Sequence, residues 1–268
     1  MHRFLEEILA RRRARIEEVK RLTSGPARDA SPCSPPPDPV PALRGLGGFI
    51  IAEVKRRSPS KGDLAPNADA ALLARAYERG GAAAVSVLCE PDFFGGSRAD
   101  VRRAAEAVAV PVLCKDFILD PLQLQMASAD GARWVLLIAR VLGPDLSAMV
   151  RAALQVGLEP LVETHDEREL ADAVASGARL LGINARDLDT FEVDLERVRA
   201  LLPMCPPHCA CVAESGLRSA GDLLDMRDAG AHGFLVGETL MRSPDPEGLL
   251  RQYLGELHPA LHQVEALP

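Results

Sequence analysis

From Phe49 onward the chain alternates short apolar runs with longer stretches rich in alanine, leucine and arginine. The runs read FIIAEV, AAVSVL, PVLCK, WVLLI, EPLVE, LLGIN, CVAES and GFLVG. Continuous apolar strands joined by helical connections predict a parallel sheet covered on both faces. Glycines near the ends of the connecting stretches, at Gly80, Gly131, Gly157, Gly177 and Gly230, fit helix C-caps. Eight such units in succession predict an α/β chain folded as a (β/α)8 barrel, the TIM-barrel architecture. A doubly wound open sheet is the alternative, but no G-x-G-x-x-G follows the first strand.

Ahead of the barrel, Phe4, Ile8, Leu9, Ile16, Val19 and Leu22 recur at helical spacing. The stretch SGPARDASPCSPPPDPVP then forms a proline-rich connector that is expected to be neither regular helix nor central strand. The expected division is residues 1–48 as helix and connector covering the barrel, 49–256 as the barrel, and 257–268 as a tail. No second enzyme is expected to be fused after Pro268.

Composition narrows the partners. A net charge of -7 argues against a nucleic-acid surface. No apolar run approaches the ~18 residues of a membrane span. The stretch MHRFLEEILARRRARIEEVK lacks the apolar core of a signal peptide, so the cytoplasm is the expected compartment. The segment CPPHCAC offers Cys205, His208, Cys209 and Cys211 as metal ligands, but their spacing matches no zinc pattern. Reduced structural cysteines are the expectation, with Cys209 and Cys211 as buried thiols on one strand face.

Charge placement carries the chemistry. Strand alternation puts Ile51, Glu53 and Lys55 on one face and Ile50, Ala52 and Val54 on the other. If the second set packs on helices, the two charges point into the barrel, where they are tolerable only beside one another and a wet cavity. Lys115, Glu163, Asn184 with Arg186, and Glu214 end four further strands. In a parallel barrel all these ends meet at the rim where barrel enzymes work. One charged strand end would suit an ion pair that only supports the fold; five converging ends point to a site.

Two glycine turns add a second signal. Glu214-Ser215-Gly216 and Val236-Gly237-Glu238 follow the seventh and eighth strands and lead into helices. Backbone N–H groups there suit a phosphate. Glu238 is then expected to turn its side chain away, and Ser58, Ser60 and Lys61 of the first loop to close the site from the other side.

The segments AEVKRRSPSKGDL, SVLCEPDFFGGS, VLCKDFILDPLQL, PLVETHDEREL, GINARDLDTFEVD, AESGLRSAGD and FLVGETLMR resemble the indole-3-glycerol phosphate synthase family, in order and over nearly the whole chain. That resemblance implies ring closure of 1-(2-carboxyphenylamino)-1-deoxyribulose 5-phosphate with loss of carbon dioxide and water. It implies Lys115 as general acid, Glu163 as the second-step carboxylate, and Lys55 as a substrate contact and second acid. Asn184 orients a hydroxyl or proton relay, Glu53 balances the lysines, and Arg186 holds the substrate carboxylate. Ser58, Ser215, Gly216 and Gly237, with the Glu238 backbone, surround the phosphate. Glu214 is matched to the sugar hydroxyls, and Phe94 and Phe117 to the aromatic ring, although both phenylalanines also suit ordinary rim packing. No metal or organic cofactor is implied, and the N-terminal segment helps to cover the substrate. Cys89 and Thr239 depart from the family pattern without replacing a catalytic group. Two rivals remain at this point: a phosphoribosylanthranilate isomerase, and a non-catalytic barrel that senses a phosphorylated metabolite or binds a partner enzyme.

Overall fold

In the computed structural model, which describes residues 3–22, 34–188 and 190–258, eight strands close into a parallel barrel. They are Phe49–Val54 (β1), Ala84–Leu88 (β2), Val112–Lys115 (β3), Trp134–Ile138 (β4), Glu159–Thr164 (β5), Leu180–Asn184 (β6), Ala210–Glu214 (β7) and Gly233–Val236 (β8). Each pairs with the next, and β1 closes the ring on β8 with Ile51 opposite Leu235. The ring has no sheet edge, so the open-sheet alternative falls.

The two faces of each strand feed different cores. Ile50, Ala52 and Val54 join the layer between sheet and helices. Ile51 instead joins Leu113, Trp134, Leu161, Leu180 and Leu235 inside the barrel. Fully burying one large apolar side chain is worth about 1.5–3 kcal/mol, so a one-residue slip of any strand would exchange both cores at once.

Polar residues after the strands start the helices. Asp69 accepts the N–H groups of Ala71 and Leu72 at the head of Ala70–Arg79. Asp120 with Gln123, and Ser219 with Asp222, form reciprocal capping boxes. Gly131, Gly157, Gly177 and Gly230 take the left-handed conformation expected of helix ends. Gly80 is the C-cap of its helix, as expected, at φ -72, and the left-handed turn follows on Gly81.

Two helices close the barrel ends. The N-terminal helix Arg3–Leu22 (α1) lies across the C-terminal rim, where Leu5, Ile8 and Leu9 join the inner core. Arg12 pairs with buried Asp116 just after β3, and Arg15 reaches Asp92 at 2.7 Å. At the opposite end a short helix, Val40–Gly45 (α2), inserts Val40 and Leu43 beside Phe49. Here the connector departs from expectation, because Pro41 lies within α2. Proline is tolerated in a first helical turn, whose N–H groups have no intrahelical acceptor. Residues 23–33 of the connector and 259–268 of the tail lie outside the described residues.

The cysteines need a larger correction. Cys205 and Cys211 form a disulfide, while Cys209 stays a buried thiol. Pro206 and Pro207 follow Cys205, and the Cys209 N–H donates back to Pro206 O, a turn that leaves the Cys205 and Cys211 Cα atoms 6.6 Å apart.

At the lower end Gly233 gives the Phe49 ring its place: a Cβ there would meet ring carbons at 2.3 Å. Gly233→Ala should therefore overpack the barrel floor and cost about 1–3 kcal/mol. A urea midpoint equal to that of the parent would show that the Phe49 ring moves aside freely.

Candidate active site

The C-terminal ends of the strands open into a cavity of about 970 Å3 under α1. Glu53, Lys55, Ser58, Phe94, Lys115, Phe117, Glu163, Asn184, Arg186, Ser215, Gly216, Gly237 and Glu238 all line it. Residues from seven separate segments thus meet as the charge pattern implied. Glu214 is the exception. It is 1% exposed and is not among the residues that line the cavity, and its Oε2 lies 3.3 Å from Lys115 Nζ.

Lys115 sits at the centre. Its Nζ lies 3.3 Å from Glu214, 3.4 Å from Glu163 and 3.9 Å from Glu53. Glu53 also receives Lys55 at 2.6 Å. Two ammonium groups therefore face three carboxylates, all at most 2% exposed. Burial opposes the Lys115 charge, but Glu214, Glu163 and Glu53 outweigh it and hold the lysine above its ordinary range. The surplus negative charge is relieved at Glu214, which burial and then neighbouring Glu163 push up to about 8 against the pull of Lys115. Burial also raises Glu163, yet Lys115, His165 and Asn184 outweigh it and keep this carboxyl below its usual range.

Close approach shapes this cluster. A Cβ at Gly182 would stand 2.0 Å from Glu214 Oε1, so only glycine leaves room for that carboxylate. A glycine inside an apolar strand is a sequence signal for close approach, and the reading of LLGIN as plain strand overlooked it. His165 was overlooked as well. It is buried one residue past β5, with Nε2 at 3.5 Å from Glu163 Oε1 and Nδ1 at 3.0 Å from Glu169.

Around this centre stand groups suited to an anionic, aromatic ligand. Asn184 accepts the N–H of Arg186 at 2.9 Å, and the Arg186 guanidinium donates to Phe191 O at 3.0 Å. Burial holds Arg186 below its ordinary range, more than Glu238 and Glu53 restore. Phe94 and Phe117 lie 6.3 Å apart at a tilt in the cavity wall. Ser215 and Gly216 both adopt positive φ, 64 and 79, after β7. Glu238 pairs with Arg242 at 3.3 Å. Ser58 meets Ser60 at 3.1 Å in the first loop, which Arg56 anchors through two bonds to buried Asp100, at 2.6 and 2.8 Å. Among the described residues no group of three or more His, Cys, Asp or Glu is placed to hold a metal, and no helix is long and apolar enough to cross a membrane.

A closed parallel barrel whose rim gathers an ammonium group, carboxylates and glycine turns defines a (β/α)8-barrel enzyme. Residues 5–253 match the family profile described as indole-3-glycerol phosphate synthase, and the chain belongs to that family. It is 46% identical over 254 residues to the indole-3-glycerol phosphate synthase of Nocardioides sp., across 94% of this chain and 98% of that relative. It is likewise 46% identical over 258 residues to indole-3-glycerol phosphate synthase 1 of Streptomyces coelicolor, across 94% and 93%. Among solved structures it resembles KGPDC from Streptococcus mutans, with TM-score 0.62, 15% identity and coverage of 80% of this chain and 98% of that one. It also resembles thiamine phosphate pyrophosphorylase from Pyrococcus furiosus, with TM-score 0.60, 16% identity and coverage of 82% and 99%. At such identities the two structures speak for the fold alone. Family membership sets aside both the isomerase and the non-catalytic barrel.

The raised Glu214 has a signed consequence for stability. The folded chain keeps this proton up to about pH 8, whereas an unfolded glutamate releases it near about 4.3. Its contribution is thus fully present below the unfolded value and is lost as pH rises through about 8. The melting temperature should fall from pH 6 to 9 less steeply in Glu214→Gln than in the parent. Parallel slopes would place the titration elsewhere.

Proposed function

We propose that this cavity converts 1-(2-carboxyphenylamino)-1-deoxyribulose 5-phosphate to indole-3-glycerol phosphate, with the residue roles derived below. The observation that carries this assignment is Lys115 held 3.4 Å from Glu163 at the floor of a cavity that Arg186 and both glycine turns also line.

In the first step an aromatic carbon attacks the ketone, and the ketone oxygen needs a proton to become a hydroxyl. Lys115 supplies it as general acid. Carboxylates that hold the ammonium in place also strengthen its grip on its proton; proton uptake at Glu214 removes one of those three opposing charges. Arg186 holds the substrate carboxylate until it leaves as carbon dioxide, since a guanidinium fork fits a carboxylate. Phe94 and Phe117 pack on the aromatic ring. Dehydration then removes a hydroxyl and a proton. Glu163, kept ionised by Lys115 and Asn184, takes the proton, and Lys55 assists the departing hydroxyl. Asn184 orients these groups, and Glu53 balances both lysines. The N–H groups around Ser215, Gly216, Gly237 and Glu238, with Ser58, take the phosphate. The ligand is thus a small phosphorylated molecule, and nucleic acid has no part in the reading. We place the reaction in the cytoplasm, where such water-soluble metabolites are made and consumed.

Two substitutions test these roles. Lys115→Met keeps the stem and removes the acid, so turnover should drop about 10²–10⁴-fold while product still binds in titration calorimetry. Wild-type turnover would remove Lys115 as the acid; loss of all product affinity in a folded variant would make it mainly a binding group. Arg186→Ala removes a charge-assisted contact worth roughly 1.5–3 kcal/mol, so kcat/KM should fall about tenfold or more. Unchanged kinetics would show that the carboxylate is held elsewhere.

A further inference from the structure

The backbone of Arg186 is fixed by its own strand end, but its charged group is held from elsewhere. The Arg186 N–H donates to Asn184 Oδ1 at 2.9 Å, and the residue pairs antiparallel with Val193. At the guanidinium, Nη1 donates to the Phe191 carbonyl at 3.0 Å and reaches Ser60 Oγ only at 3.4 Å. Nε and Nη2 have no protein partner among the described residues, which leaves one edge of the fork for a carboxylate. The place of that edge therefore rests mainly on where the Phe191 carbonyl points.

Phe191 presents this carbonyl from an unusual backbone. Its φ is 61, and among the described residues the only other non-glycine residue with positive φ is Ser215, in the turn after β7. A bulky side chain is disfavoured there because Cβ crowds its own backbone. Such a conformation persists only where the surroundings over-determine it. Two sets of contacts do so here. The backbone closes a tight loop, with the Phe191 N–H donating to Asp187 O at 3.0 Å and the Asp187 N–H to Glu192 O at 2.9 Å. The ring lies edge-on to Phe4 of α1, with centroids 4.9 Å apart and planes at 70°. Phe4 in turn meets Phe93 at 4.9 Å and 80°, and the Arg11 guanidinium covers the Phe93 ring at 5.0 Å. Rotation about φ at Phe191 would swing its ring away from Phe4 and its carbonyl away from Arg186 together.

We infer that Phe191 and Phe4 are positioning residues for Arg186. The aromatic bridge from α1 keeps Phe191 left-handed, and the Phe191 carbonyl then holds the guanidinium with its free edge available to the substrate carboxylate. The covering helix thereby sets the preference of the enzyme for a ring that carries a carboxylate. This rests on the reading that Arg186 holds that carboxylate. Both phenylalanines also line the cavity, so direct packing on the ligand is the competing explanation.

The experiment is titration calorimetry with two ligands that cannot cyclise, with melting temperatures measured alongside. One ligand is the substrate with its ketone reduced to an alcohol; the other is the same molecule without the ring carboxylate. Phe191→Ala removes the bridge and leaves the left-handed backbone unsupported. The carboxylate-bearing ligand should then bind about tenfold weaker or more, as for the loss of one charge-assisted contact, while the other ligand changes by less than about twofold. Phe191→Gly also lacks the ring, but glycine takes positive φ without strain, so it should bind the carboxylate-bearing ligand at least about threefold more tightly than Phe191→Ala. Direct packing predicts equal losses for both ligands, with glycine no better than alanine. Either of those results would overturn the inference, as would parent affinity in Phe191→Ala. Phe4→Leu keeps an apolar side chain on α1 and decides the matter should Phe191→Ala not fold. It should weaken the same ligand preference by about threefold or more, and should add nothing in an Arg186→Ala background. An additive loss or an unchanged preference would overturn the bridge. Arg186→Ala alone tests the underlying reading: equal weakening of both ligands would place the carboxylate elsewhere. If Arg186→Ala discriminates between the ligands while Phe191→Ala does not, only the positioning role fails.

Discussion

The site depends on one buried electrostatic arrangement: the Lys115 ammonium held among Glu53, Glu163 and Glu214. Removing four ionisable groups from water is costly, and mutual attraction repays the cost only with close geometry. A closed parallel barrel provides that geometry, because every strand delivers its last inward residue to the same rim. The balance remains one charge short, with two lysines against three carboxylates. The consequence falls on Glu214, which lies 3.3 Å from the lysine and is pushed up to about 8. The cluster that makes chemistry feasible is therefore also where the fold becomes sensitive to pH.

Apolar packing isolates this cluster from below and above. Beneath it, Leu113, Trp134, Leu161 and Leu180 fill the barrel, so charge repulsion in the site is not relieved by water entering from the lower end. Above it, α1 places Leu5 and Ile8 in the cavity wall and is held by the Arg12–Asp116 pair. Asp116 directly follows Lys115, so the covering helix is tied to the strand that carries the acid. The first loop is anchored by Arg56 on Asp100, and Ser58 and Ser60 of that loop line the cavity. An active site built on strand ends and anchored loops needs little rearrangement to hold its polar groups at reaction distance.

Much of this is legible in the sequence. The eight apolar runs became the eight strands, and alternation along FIIAEVK sends Glu53 and Lys55 to the cavity side. The glycine turns after β7 and β8 line the cavity as expected. Other features were not legible. Pro41 reads as a helix breaker until its place in a first turn is known. Cys205 and Cys211 share no strand periodicity, and only the backward fold of the intervening prolines brings them together. His165 reads as an ordinary residue after EPLVET, since its meaning lies in Glu163 and Glu169 on either side of it in space.

Periodicity and strand-end chemistry are local properties, written within a few residues, so the sequence alone determined the fold class, the inward faces and the roll of rim residues. Which of those residues touch is decided by closure. Lys115 meets Glu163 and Glu214 across 48 and 99 residues of chain, and no local pattern states that Glu214 reaches Lys115 while Lys55 turns to Glu53. Those pairings set the ionisation of each group, because the energy of a buried charge depends on distances of a few ångströms between strands that are far apart in the chain.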